Sequence, residues 1–171
     1  KFIDKGGLNN VGFLTLTFAE NITDHKEAIR RFKSFLKHYL NKNFGQWMRI
    51  SERQKRGAWH FHILVDCKQN IRSGVNFDEI YGKTGRKKYT SCSPYLRSLW
   101  HSLRVACEKY GFGRSELLPI ESNVAAMAKY IGKYLSKHNC WRDPSDKGIR
   151  LAGYSGDFTR SNSKFSWNTE G

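Results

Sequence analysis

The stretch Gln46 to Asp66, QWMRISERQKRGAWHFHILVD, decides the fold. Gln46 to Glu52 alternates apolar and polar residues and reads as a strand. Arg53 to Gly57 is a short, polar, basic turn, and Ala58 to Asp66 is a second run rich in β-branched and aromatic residues. Two strands joined by so short a link predict a β-hairpin.

Upstream, Val11 to Phe18 (VGFLTLTF) reads as a buried strand. From Asp24 the period changes, and Ala28, Ile29, Phe32, Phe35, Leu36, Tyr39 and Leu40 mark one apolar helical face. Asp24 followed by Glu27 resembles a capping box, and Asn41 to Gly45 supplies the stop. Downstream, residues 67–91 are polar, carry Gly74, Gly82 and Gly85, and predict a long surface loop with a short local element around Phe77 to Tyr81. Ser93 and Pro94 open a second helix that Gly111 closes. Arg114 to Glu121 predicts a fourth strand, with Pro119 placing it at an edge or near a strand end. A third helix is expected from Ser122 or Asn123 to about His138. The order is β-α-β-β-α-β plus one helix, an α+β, ferredoxin-like or RRM-like antiparallel sheet. Right-handed crossovers put the first and third strands in the middle, with the extra helix lying across the open face.

The whole chain of 171 residues reads as a single domain with its core at about 11–138. The tail 139–171 is expected to pack on that core or extend it, with Tyr154, Phe158, Phe165 and Trp167 available for a last strand or a collar. Starting without Met, the sequence is expected to be part of a longer protein. Thirty Lys and Arg against fifteen Asp and Glu leave a formal charge of +15, which points to a polyanionic partner, nucleic acid first. At 39% hydrophobic and 14% aromatic the chain can bury a core, which excludes a disordered basic tail. No apolar run reaches the ~18 residues of a membrane span, and with the first twelve residues polar and Gly-rich no secretory signal is expected. Cys67, Cys92, Cys107 and Cys140 form no C-x-x-C pair and read as free thiols in a reducing compartment. His138 with Cys140 lacks a second ligand pair for zinc.

His60 and His62 lie two apart on one strand, so both imidazoles leave the same face while Phe61 leaves the other. That is half of a metal site, or a pair of ordinary hydrogen-bonded histidines. Glu52, at the end of the preceding hairpin strand, can reach the same face. A His-His-Glu set with open coordination positions suits a divalent ion that also holds a phosphate oxygen; an ion pair of Glu52 with Arg49 or Arg53 fits the spacing equally well. On the third helix, Tyr130 and Tyr134 are one turn apart, with Lys129, Lys133 and Lys137 repeating the same step beside them. A phenol has a pKa near 10, and ammonium groups beside it stabilise both a phenolate and the charge on an attacked phosphate. Plain amphipathic packing is the alternative for that helix.

In order, FLTLTF, WHFHILVD and YIGKYLSK resemble the three motifs of the HUH endonuclease superfamily, and most resemble rolling-circle replication initiators (Rep proteins) of phages, plasmids and single-stranded DNA elements. SERQKRGAWHFH is similar to the phage initiator pattern in which an acidic residue precedes R-G-x-x-H-x-H. The likeness spans Val11 to His138 and implies a metal-dependent enzyme that nicks and joins single-stranded DNA through a 5′-phosphotyrosine. It implies His60, His62 and Glu52 as ligands of Mg²⁺ or Mn²⁺, and Tyr134 and Tyr130 as the nucleophiles of a two-tyrosine enzyme, with Lys133 and Lys137 assisting. Y-L-S-K favours Tyr134 as the first to attack. The implied partners are a single-stranded origin, hairpin or linear, and host replication proteins such as a helicase, in the cytoplasm of a bacterial host. No superfamily role attaches to the basic loop 67–91.

Charge places Arg53, Lys55, Arg56, Arg86, Lys87, Lys88 and Lys129 as phosphate contacts, and Trp47, Trp59, Tyr81 or Tyr89 as stacking platforms for bases. Two other readings stay open: a transposase or relaxase with the same chemistry, and a non-catalytic RRM-like module that binds single strands through its open sheet.

Overall fold

The computed structural model describes residues 7–83, 85–121, 132 and 146–156. β1 (Val11–Phe18) leads into α1 (His25–Phe35), a wide π-type turn (Leu36–Leu40) and the short α2 (Asn41–Asn43). The hairpin is β2 (Trp47–Arg53) and β3 (Trp59–Asp66). After α3 (Phe77–Tyr81) come α4 (Pro94–Lys109), β4 (Phe112–Pro119) and β5 (Ala152–Tyr154). The sheet runs β4-β1-β3-β2-β5 with every neighbouring pair antiparallel. β3 sits between β1 and β2, which is the split arrangement expected. The extra helix expected over the open face falls at 122–138, where only Gly132 is described.

The caps are those the side chains dictate. Asp24 accepts from the Lys26 and Glu27 amides at the start of α1, and Ser93 accepts from the Leu96 amide ahead of Pro94 at the start of α4. Gly111, at φ 80°, turns the chain straight from α4 into β4, so that strand begins at Phe112 rather than Arg114. The π-type turn departs from the continuous helix expected. Its extra residue rephases the apolar stripe so that Phe35, Tyr39, Leu40 and Phe44 all stay buried.

One face of the sheet carries the core. Leu14, Leu16 and Phe18 of β1 and Trp59, Phe61, Ile63 and Val65 of β3 meet Ala28 and Phe32 of α1 and Leu96, Leu99 and Leu103 of α4. Phe61 is central, with ring centroids 4.9 Å from Phe32 and 5.8 Å from Phe18. Each such buried side chain contributes roughly 1.5–3 kcal/mol, and strand alternation frees the opposite face for other chemistry.

The loop between β3 and α4 is less superficial than its composition implies. Ile71 and Ile80 are buried and pin it to the core, and Asn76 caps α3 through the Asp78 and Glu79 amides. The β4 edge is closed by Trp100, whose indole N–H donates to the Leu117 carbonyl at 2.6 Å. At the other edge β5 pairs with β2 through Met48–Tyr154 and Ile50–Ala152. A guanidinium–carboxylate fork from Arg53 to Asp146, 2.7 Å on each arm, fastens the segment before β5 to the end of β2. Cys67, Cys92 and Cys107 are buried free thiols, and burial pushes Cys67 and Cys107 up to about 12.

Candidate metal centre and nucleic-acid interface

The hairpin turn builds the site. Gln54 donates its amide to the Ala58 carbonyl at 2.8 Å, and Gly57 adopts φ 84° behind it. That tight closure fixes the register with Glu52 opposite His60 and Ile50 opposite His62. Glu52, His60 and His62 therefore share the face away from the core. Glu52 Oε2 lies 2.9 Å from His60 Nε2 and 2.9 Å from His62 Nε2, and the imidazole centroids are 4.6 Å apart.

The three side chains are 14%, 14% and 9% exposed for Glu52, His60 and His62, so the cluster is shielded without being sealed. Burial disfavours the charged form of Glu52, but the hydrogen bonds with His60 and His62 outweigh it and hold the carboxyl well below the usual carboxylate range. Glu52 is thus an anion at neutral pH.

β1, paired with β3, orients the second histidine. Thr15 stands opposite His62 in register, and its Oγ1 is 3.3 Å from His62 Nδ1. With the proton on Nδ1 donated to Thr15, Nε2 is left as the ligand atom. Phe13 stacks on the same imidazole at 5.4 Å between centroids. Thr15 was not singled out from the sequence; its signal was the β1 alternation, which places it on the face of His60 and His62. The ligand atoms of Glu52, His60 and His62 all fall within 4.8 Å of one another, the one such cluster among the described residues. Two imidazole nitrogens and one carboxylate oxygen converging from a rigid sheet fit a divalent cation that keeps positions open for other ligands.

The cations expected to meet phosphate fall into two groups. Lys55, Arg56, Arg86, Lys87 and Lys88 are exposed. Lys87 reaches back to the site's face, its Nζ 3.5 Å from Glu116 on β4, and Glu116 pairs in register with Thr15. Arg53 instead is clamped: besides Asp146 it donates to the Thr23 and Gly57 carbonyls and lies 4.4 Å over the Trp59 ring. Two of the stacking candidates need correction. Trp59 and Trp47 are buried at 1% and 9%, with their indole N–H groups donated to Thr23 and Asn41. They complete the core because Phe32 and Phe61 need large partners there, and neither offers a face to a base. Tyr81 and Tyr89 are exposed. Tyr130, Tyr134, Lys129, Lys133 and Lys137, with His138 and Cys140, lie outside the described residues. No described helix is long and apolar enough to cross a membrane.

Residues 11–139 match the family model described as replication-associated protein, ORF2 type. The chain is 44% identical over 154 residues to the Phasyl DNA replicon protein arp of Escherichia coli, covering 90% of this chain and 53% of that protein. It therefore spans about half the length of that relative. No solved structure matches.

Proposed function

The chain belongs to this ORF2-type family of replication-associated proteins, and on that premise we propose that it nicks and rejoins single-stranded DNA through a covalent phosphotyrosine, initiating rolling-circle replication. The observation that carries this reading is the convergence of Glu52, His60 and His62 on the free face of the sheet in a replication-associated protein. These three residues would hold Mg²⁺ or Mn²⁺. Such an ion polarises the non-bridging oxygens of a bound phosphate.

The rest of the chemistry belongs to the chain. Thr15 keeps His62 in the ligating tautomer. Tyr134, with Tyr130 as the second nucleophile, loses its phenolic proton to solvent and attacks the scissile phosphorus. A Tyr O–P bond forms, the bond from phosphorus to the 3′ oxygen breaks, and that oxygen leaves as a 3′-OH after taking up a proton. The phosphodiester energy is retained in the adduct, so a later 3′-OH can reverse the step and rejoin the strand. Lys133 and Lys137 stabilise the developing phosphate charge, while Lys55, Arg56, Lys87, Lys88, Arg86 and Lys129 hold the flanking backbone. Binding of a single-stranded origin, supported by the family, belongs to the same proposal, as do a hairpin at that origin and a host helicase.

An RRM-like binding module would want stacking aromatics on both central strands of the free face. Here β3 offers His60 and His62 instead, and the Phe13 ring of β1 is stacked on His62. The test is cleavage of end-labelled single-stranded DNA in Mn²⁺. His60→Ala and His62→Ala each abolish cleavage while leaving DNA binding nearly intact. Undiminished cleavage in both variants overturns the metal assignment.

A further inference from the structure

On the core side of the sheet, opposite the metal-competent cluster, a cavity of about 620 Å³ opens between α1 and the β2–β5 edge. Lys26 and Lys33 of α1 and Arg150 ahead of β5 line its rim, and Arg49 of β2 lies at its floor; no Asp or Glu is among its lining residues. Arg30, also on the rim, is already held by Glu27 at 2.7 and 2.8 Å. Among the described residues no carboxylate pairs with Lys26, Lys33, Arg49 or Arg150.

Arg49 is the telling member. It is 93% buried, being only 7% exposed. Its guanidinium carbon sits 5.3 Å over the Phe32 ring and 5.4 Å over the Phe61 ring. Nη1 donates to Ser51 Oγ, while Nη2 lies directly under the β5 backbone, where a Cβ on Gly153 would stand 3.0 Å away. A buried cation without a counter-charge is costly unless a ligand supplies the charge. Burial lowers the Arg49 pKa, and repulsion from Arg150 close by adds to that, bringing it to about 10. A planar fork presented from such a floor matches two oxygens of one phosphate. The volume is that of a pocket for one nucleotide unit.

We propose that this α1–β5 groove binds a phosphate of a nucleic-acid strand, with Arg49 as the fork and Lys26, Lys33 and Arg150 as flanking contacts, so that the protein holds DNA on both faces of its sheet. The proposal goes beyond nicking and stands whether or not the chain cleaves. Its test measures binding in EDTA, where no metal chemistry runs, and cleavage in Mn²⁺ is scored separately.

The probe is fluorescently labelled oligothymidylate, followed by anisotropy through a salt titration of the whole chain. The double variant Lys33→Gln/Arg150→Gln changes only exposed side chains. It should weaken binding about tenfold at low salt and reduce the slope of log K against log salt by about 1.4, the loss of two single-strand phosphate contacts. A double variant on the other face, Lys55→Gln/Lys87→Gln, should lower the slope independently, and the two losses should add. Arg49→Met should weaken oligothymidylate binding, because it removes the guanidinium while keeping a long side chain against Phe32 and Phe61. Wild-type affinity and slope in Lys33→Gln/Arg150→Gln overturn the proposal. Displacement of the oligonucleotide by equimolar dTMP, or stronger binding of polyglutamate than of oligothymidylate, also overturns it, assigning the groove to a free nucleotide or an acidic peptide.

Discussion

Asp146→Asn separates the structural clamp from the DNA-binding cations. In the folded protein Asp146 is 4% exposed and receives both arms of the Arg53 guanidinium at 2.7 Å. Removing one partner of a fully buried pair costs about 3–5 kcal/mol, and an exposed pair contributes about 0–1 kcal/mol. The Arg53 side chain is 28% exposed and keeps its bonds to Thr23 and Gly57 and its contact with Trp59, so the cost lies between these limits, at about 2–3 kcal/mol. For a chain of this size that lowers Tm by roughly 4–12 °C. Scanning calorimetry measures the loss, and a cycle with Arg53→Met measures the coupling, expected at about 2 kcal/mol. The damage should be local as well as global. Hydrogen exchange should accelerate at the Ser51 amide, which donates to the Leu151 carbonyl at 2.8 Å, because the clamp is what brings that segment to β2. A loss under ~0.5 kcal/mol together with unchanged Ser51 exchange would refute the reasoning.

Two further expectations concern the cluster. Thr15→Val removes the contact to His62 Nδ1 and should weaken Mn²⁺ binding by about 10–100-fold with DNA affinity unchanged; equal Mn²⁺ affinity in calorimetric titration would show that Thr15 does not orient the ring. Glu52 has a folded-state pKa below its ordinary 4.5, so its stabilising contribution is complete above that ordinary value and disappears as pH falls through the lower folded one. Urea midpoints in EDTA should therefore decline on the acid side for wild type and flatten there for Glu52→Gln, and parallel acid limbs would contradict the sign.

The elements legible in the sequence were those with local causes. Period-two runs, the Asp24 and Ser93 caps and the short hairpin link each act within a few residues, and the hairpin link is what set Glu52 against His60. The misreadings came from tertiary context. An apolar stripe through Leu36 to Leu40 looks the same in an α-helix as in a π-type turn, and only packing of Phe35, Tyr39 and Phe44 selects the latter. A last strand is expected in the tail with Tyr154 in it, but nothing local fixes its bounds; the open β2 edge and the Arg53 clamp set them at Ala152–Tyr154. Trp47 and Trp59 read as nucleic-acid platforms because tryptophan beside arginine suits both core and surface, and burial depends on α1 lying over them. Arg49 reads from spacing only as an ion-pair partner of Glu52, yet it lies on the core face over Phe32 and Phe61, and Asp146 carries no sequence signal; the surroundings of both are assembled from β5 and the segment before it, far downstream of β2 in the chain.

The central claim, a metal-dependent tyrosine nuclease, is tested most directly by trapping the adduct. The chain is incubated with a labelled pool of randomised single-stranded oligonucleotides in Mn²⁺ or in EDTA, and a denaturing gel is read for label travelling with protein. The account predicts an adduct in Mn²⁺, none in EDTA, and none in the Tyr130→Phe/Tyr134→Phe double variant. An adduct that survives the double variant, or cleavage that proceeds in EDTA, would contradict it.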